Sequence, residues 1–339
     1  MIRSERIQNP AKIDRDFIDR LLKTGYKVIV QFSDRLYTDK ILEELNELCL
    51  KYDENFNIRF YGHHSNSFDC SIVDKIPFVK SLNVDCITNA QHIEALTKPL
   101  HLKQFWLGVY ELKDTEILQA DNFKKLTSLG IADTKTKALN LKYLSDFKNL
   151  TSLLIAKHTK NIDAVGELKG LTNLNLNSIS KVPLNFVNNL KQLKRLRILL
   201  GGRDNINEIH NNAIEQLELI WIRGLNELNN LDRFSKLKSL HIEDQIRLSR
   251  LDFDNVINEL TDIKILNCKT FSAVTGLEKL PALSHMRIYG TAIDFESFVK
   301  QEFPKSLEIL AFYTGKKIDK EIKLRLETMG YVDGMGNNS

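Results

Sequence analysis

Along most of the chain, apolar residues recur in one spacing, apolar-x-x-apolar-x-apolar, separated by longer mixed stretches. The phrase begins at Val79 ("VKSLNV"), Leu102 ("LKQFWL"), Leu126 ("LTSLGI"), Leu150 ("LTSLLI"), Leu171 ("LTNLNL") and Leu193 ("LKRLRI"). It continues at Leu217 ("LELIWI"), Leu237 ("LKSLHI"), Leu260 ("LTDIKI"), Leu283 ("LSHMRI") and Leu307 ("LEILAF"), in steps of 20–24 residues. A weaker copy stands at Asn55 ("NFNIRF"). The fourth and sixth positions are two apart, so a strand turns both to one side and the fifth and seventh to the other. A single strand cannot bury two or three leucines. Stacking the next copy beside it makes a parallel sheet over a continuous core. A further apolar residue, such as Phe123, Phe147, Leu168, Leu190, Ile214 or Phe234, usually stands three positions before the phrase. It is expected on the opposite wall, in a short helix or 3₁₀ turn. "AIEQLELIWI" can also be read with Leu217 and Leu219 inward, which would turn Trp221 toward the core. Leu217 is preferred as first position, because Ile214 then matches Phe234 and its equivalents.

These phrases resemble the leucine-rich-repeat family, whose motif is L-x-x-L-x-L. The short step is similar to its phosphatase-regulator-type and bacterial internalin-type members. The resemblance runs over residues 55–315. It implies an α/β leucine-rich repeat solenoid of about 12 repeats. Such a solenoid is curved, with a parallel β-sheet on the concave face, short helices or 3₁₀ turns on the convex face, and helical caps. A protein partner on the concave face and a bacterial source are further implications. The family's ninth position commonly holds asparagine or cysteine. Here that column includes Tyr110, Thr134, His158 and Gln245, and only Cys268 fits, so irregular loops are expected.

An array of stacked repeats needs its ends covered. Residues 1–54 read as a βα cap. In "NPAKIDRDFIDRLLKTG" Asn9 is a candidate helix cap, Pro10 lies in the first turn, Gly25 follows the end, and Ile13, Phe17 and Leu21 make the apolar stripe. "YKVIVQF" reads as a strand and "TDKILEELNELCLKY" as a helix buried through Ile41, Leu45 and Leu48. Residues 316–339 read as a capping helix, "DKEIKLRLETMG", and a disordered tail, "DGMGNNS".

Charge and motifs narrow the function classes. The 48 Lys and Arg against 44 Asp and Glu leave a formal charge of only +4, which argues against a general nucleic-acid or membrane binder. The opening residues hold no apolar run with a cleavage site, and no stretch reaches the ~20 apolar residues of a membrane helix. Cys49, Cys70, Cys86 and Cys268 are scattered, so reduced thiols in the cytoplasm are expected. No metalloprotease, phosphate-loop, dinucleotide or nucleophile-elbow motif occurs. His63 and His64 near Asp69 and Cys70 are a metal candidate, but adjacent strand histidines face opposite ways, so a polar loop is expected. Cys49 has the spacing of a core thiol. The family's bacterial ubiquitin ligases carry a large catalytic domain, whereas only residues 316–339 follow the last repeat. The chain therefore reads as a non-enzyme without cofactor or metal.

Binding is expected where the third, fifth and seventh positions align across strands on the concave face. Around residues 106–156, Gly108, Gly130, Ala132 and Ala156 leave the surface shallow beside Trp106 and Leu154. From 195 to 289 it carries Arg195, Arg197, Trp221, Arg223, His241, Lys264, His285, Arg287 and Tyr289, against Glu243 and Asp262. Arg, Trp and Tyr dominate interface hot spots, so this stretch, with Trp106, is the candidate protein-binding face. An acidic patch is the complement expected on the partner. The alternative, nucleic acid bound by the basic stretch 195–289, lacks any recognised motif.

Overall fold

The computed structural model describes residues 3–33, 35–63, 67–135 and 138–334. The chain divides into two units, Met1–Leu171 and Thr172–Ser339. Among the described residues the main sheet of the first has seven parallel strands in chain order: β1 (Ser4–Gln8), β2 (Lys27–Ser33), β3 (Phe56–Tyr61), β4 (Ser81–Ile87), β5 (Gln104–Val109), β6 (Ser128–Ile131) and β7 (Ser152–Ala156). The second carries seven more: β8 (Asn173–Asn177), β9 (Arg195–Leu199), β10 (Gln216–Ile220), β11 (Ser239–Glu243), β12 (Asp262–Leu266), β13 (His285–Tyr289) and β14 (Ile309–Tyr313). Each of the eleven phrases thus contributes one strand, β4 to β14, and the weaker copy becomes β3.

Inward and outward positions sort as alternation requires. Leu174 and Leu176 of β8, Leu196 and Ile198 of β9, and Leu240 and Ile242 of β11 are all buried. Burial of each such side chain contributes about 1.5–3 kcal/mol. The chain returns through 3₁₀ turns such as Leu141–Asp146, Ile162–Glu167 and Asn185–Asn189. Just after three such turns, Phe147, Leu168 and Leu190 are buried against the strands from the other side. A parallel pair needs a crossover, and a short 3₁₀ return supplies one within the step.

One register differs from expectation. In β10 the inward residues are Leu217 and Leu219, paired with Leu196 and Ile198 of β9 and with Leu240 and Ile242 of β11. Ile214, not Leu217, therefore holds the first position. The slot three residues earlier is filled by Asn211, which is buried and donates from Nδ2 to the carbonyls of Val187 (2.7 Å) and Leu190 (2.9 Å). A satisfied amide thus takes the place of an apolar side chain. A slip of one phrase position moves every side chain of the strand to the other face.

Where the strands end, the eighth position takes up the left-handed conformation. Lys157 in the first unit has φ 61°, and in the second Ser178, Leu200, Trp221, Asp244, Asn267 and Gly290 have φ of 49–63°. Only one of these is glycine, so the geometry is held by surrounding bonds against local preference. In the second unit each eighth-position N–H donates to the seventh-position carbonyl of the next strand. Leu200 bonds Ile220 (2.9 Å), Trp221 bonds Glu243 (2.9 Å) and Asp244 bonds Leu266 (3.0 Å). This ladder assigns Trp221 to the eighth position independently of burial.

The ninth position does bind loop backbone, with varied chemistry. His158 accepts from the Leu139 N–H at Nδ1 (3.0 Å), so its Nε2–H donates to the Ala132 carbonyl (2.8 Å). Gln245 donates from Nε2 to the carbonyls of Leu219 (3.0 Å) and Glu243 (2.8 Å), and Cys268 Sγ lies 3.4 Å from the Gln245 N–H. Buried asparagines do similar work elsewhere in the repeat: Asn122 bonds the Pro99 carbonyl, and Asn230 bonds those of Ile206 and Ile209.

At the N-terminus, helix α1 (Arg15–Lys23) starts later than expected, with Asp14 as its cap accepting from the Phe17 N–H (2.9 Å). Asn9 instead closes β1. Its φ is 44°, and its Oδ1 accepts from the Ser33 N–H (2.9 Å). The buried residue of α1 is Ile18, while Phe17 and Leu21 are half-buried. Helix α2 (Asp39–Lys51) buries Ile41, Leu45 and Leu48 as expected, and Thr38 caps it. Strand β1, with a single aliphatic side chain, was not anticipated; it pairs with β2. In the second unit, α3 (Phe295–Phe298) lies in the last return and α4 (Asp319–Thr328) buries Ile322 and Leu326. Two residues of the expected tail are held: Asp333 accepts from the Tyr313 hydroxyl (2.6 Å) and the Gly334 carbonyl accepts from Arg287 Nε (3.0 Å). The rest of the tail, 335–339, lies outside the described residues.

Candidate functional site

Side chains at one repeat position stand in rows across a parallel sheet, about 4.8 Å apart from strand to strand. In the second unit the fifth-position row reads Asn175, Arg197, Glu218, His241, Lys264, Arg287, Ala311. The third-position row beside it holds Arg195, Asp262 and His285. Of the eleven candidate residues, Arg195, Arg197, His241, Glu243, Lys264, His285, Arg287 and Tyr289 occupy this strand face.

The face is not the basic surface that the sequence suggested. Glu218 forms an ion pair with Arg195 and lies 3.3 Å from Arg197 Nε. Asp262 pairs with Arg287 (2.9 Å) and lies 3.8 Å from Lys264 Nζ. Glu243 Oε2 lies 3.0 Å from His241 Nε2, and burial lowers the pKa of that imidazole despite the carboxylate. Four permanent cations (Arg195, Arg197, Lys264, Arg287) thus stand among three carboxylates (Glu218, Glu243, Asp262). Glu218 is the residue sequence reasoning missed, because the misread register assigned the fifth position to Trp221.

Trp221 and Arg223 correspondingly leave the strand face. Trp221 neither enters the core nor joins the fifth-position row; it is 57% exposed just past the end of β10. Arg223 lies further along the loop, where its N–H donates to the Gly201 carbonyl (3.1 Å). What fills the vacated seventh position is Ile220. The seventh-position row therefore runs Leu199, Ile220, Glu243, Leu266, Tyr289, Tyr313. Tyr289 is 37% exposed, and Leu199, Leu266 and Tyr313 are half-buried. Apart from Glu243 this row is apolar, and it lies beside the charged fifth-position row, whose cations pair with Glu218 and the third-position Asp262. The step lengths held the clue: with Ile214 as first position, the uneven steps of 24 and 20 become 21 and 23.

Trp106 belongs to the first unit, in the fifth position of β5. Its ring covers Gly130 so closely that a Cβ there would sit 2.1 Å from Cε3. Around it the face is a hydrogen-bonded polar network. Arg59 donates to Gln31 Oε1 (3.0 Å), Gln31 Nε2 donates to Gln8 Oε1 (3.3 Å), and Arg59 pairs with Asp85 at 2.6 Å. Asn57 donates to Ser81 Oγ (2.8 Å) and Asn83 Oδ1 (3.0 Å).

The other candidate chemistry is structural. His63 is buried, its Nε2 accepting from the Arg35 N–H (3.3 Å), and its neighbour His64 lies outside the described residues. Among the described residues no group of three or more His, Cys, Asp or Glu side chains is placed to hold a metal ion. Burial pushes the Cys49 and Cys70 thiols up to about 12 and that of Cys268 to about 11, the opposite of nucleophile activation. Among the described residues no helix is long and apolar enough to cross a membrane.

No protein-family model matches the chain, and no curated protein matches it in sequence. Among solved structures it is similar to an internalin from Listeria monocytogenes, with a TM-score of 0.54 at 18% identity over 90% of this chain and 86% of that one. A leucine-rich-repeat protein from Leptospira interrogans aligns with a TM-score of 0.45 at 16% identity, over 83% of this chain and 82% of that one. The repeated inward leucines, the parallel strand order and the first of these likenesses agree on one architecture. The chain has the leucine-rich-repeat fold.

Proposed function

We propose that this chain is a non-catalytic protein-binding module, a scaffold or regulator, that captures a protein partner on the strand face of its second unit. The observation that carries this reading is the partly open set Leu199, Leu266, Tyr289 and Tyr313 in the seventh-position row, with exposed Trp221 just past the end of β10. Aromatic and aliphatic side chains partly open to water on either side of Glu243 offer the desolvation that protein interfaces use. The neighbouring charges are already matched, so they contribute register and selectivity more than net attraction. A partner with a mixed apolar and polar surface suits this face better than a purely acidic one. The same matching works against nucleic acid, which needs unpaired cations for phosphates. All four cysteines are free thiols, three of them buried, in keeping with a reducing compartment, and we propose the cytoplasm as the protein's location.

Quantitative affinity capture from native lysate tests the reading. Trp221→Ala and Tyr289→Ala should each reduce recovery of a defined protein by about ten-fold, or more than ~1 kcal/mol. Lys191→Glu, outside the strand face, should leave recovery intact. Equal recovery by wild type and both aromatic variants would move the binding face elsewhere.

A further inference from the structure

The first unit carries a pocket where its seventh-position side chains are small. At the ends of β4, β5 and β6 it encloses about 300 Å³, lined by Asp85, Cys86, Gly108, Tyr110, Ala132 and Asp133, together with Ile87 and Thr88. Its floor exists because the seventh position is Gly108 on β5 and Ala132 just past the end of β6. A register shift between Val84 and Ile87 opens one wall, and Cys86 there has φ 52° and is the one exposed cysteine of the four. We propose that this pocket receives a lysine or arginine side chain of a protein partner.

The lining chemistry selects a cation. Asp85 binds Arg59 through Oδ2 alone (2.6 and 3.1 Å), leaving Oδ1, which accepts from the Cys86 thiol at 3.3 Å. That oxygen lies 3.2 Å from where a Cβ on Gly108 would stand, so it looks onto the floor of the pocket. Asp133 is held by Lys157 through Oδ2 (2.7 Å). Arg59 and Lys157 themselves do not line the pocket, so its two charged walls are both carboxylates. Tyr110, 46% exposed, offers a ring face to a cation, and the glycine and alanine floor suits an aliphatic stem. The volume is at the small end for a ligand site, the scale of one long side chain.

The inference rests on the proposed reading that the partner is a protein, but its test needs no partner. Cys86 reports occupancy, because the other three thiols are buried. The probe is the capped tripeptide glycyl-arginyl-glycine, and the readout is iodoacetamide alkylation of Cys86 in the full chain, followed by intact-mass spectrometry. The arginine peptide should slow alkylation saturably, with half-protection on the order of 1–10 mM, as a single side chain allows. The lysine peptide should protect too, and the citrulline and glutamate peptides should not. Asp133→Asn should weaken protection at least about three-fold, and Ala132→Leu, which fills the floor, should abolish it. Protection by citrulline equal to that by arginine would overturn the proposal, leaving an apolar slot. So would unchanged protection in Asp133→Asn, or no saturation by ~50 mM. Any of these results would leave capture through the second unit standing.

Discussion

In the first unit the fifth-position row runs through amides, Gln8, Gln31 and Asn83 around Arg59, and the seventh runs small, with Gly108, Ala132 and Ala156. In the second unit the fifth-position row carries Arg197, Glu218, Lys264 and Arg287, with Asp262 beside the last two, and the seventh runs large, with Leu199, Ile220, Leu266 and Tyr289 around Glu243. Both faces solve one problem, since side chains in a row stand so close that polar groups must be matched by the next strand. The first unit matches them mainly with hydrogen-bonded amides and the second with ion pairs. Seventh-position volume then separates the two surfaces, a hollow in one and an apolar ridge in the other. The inward leucines are alike in both units. Surface identity is thus written in outward positions that the core does not constrain.

The largest effect should come from the register that defines the second face. Leu219→Ala should cost about 2–5 kcal/mol in chemical denaturation, as buried leucines do. Trp221→Gly, which relieves a left-handed non-glycine residue, should be neutral or stabilising by up to ~1 kcal/mol. A larger loss at Trp221 than at Leu219 would restore the rejected register.

Next in size is the contrast between the two matched charges. Arg59 and Asp85 are 16% and 20% exposed, whereas Glu218, at 14%, pairs with arginines that are 47% and 35% exposed. Arg59→Ala should cost about 2 kcal/mol and Glu218→Ala about 1 kcal/mol, because water screens the second set more. Thermal melts of the two variants at low and high salt check this. Salt should narrow the difference between wild type and Glu218→Ala more than that between wild type and Arg59→Ala.

The smallest effect is a pH dependence in the first unit. Burial lowers the pKa of His158 in the fold, against a weaker pull from its bond to the Ala132 carbonyl and from Asp133. The unfolded chain therefore binds this proton more readily. Stability from the neutral imidazole is complete above the unfolded value of about 6.5 and falls as pH drops below it. His158→Gln should flatten the stability profile between about pH 6.5 and 5, and an unchanged slope would show that other groups carry it. Gln245 holds the equivalent ninth position in the second unit with no proton to exchange.

The repeat period, the inward leucines of nearly every strand and the parallel architecture were legible in the chain itself, because alternation and spacing are local properties. Helix α2 was legible for the same reason. The roles of Asn9 in closing β1 and of Asp333 in holding the C-terminal segment were not, since both are fixed by residues far away in sequence. Trp106 was placed correctly on its strand, whereas Trp221 was not. In "LELIWI" apolar residues stand at 217, 219, 220 and 222, so both phases bury enough carbon to satisfy a single strand. What decides between them is long-range. Asn211 fills an apolar slot only because two carbonyls meet it, and Trp221 turns left-handed only because its N–H reaches Glu243 on the next strand. One strand's pattern determines that it has an inside. Its neighbours' hydrogen bonds decide which residues are there, and with them which charges, aromatics and hollows face a partner.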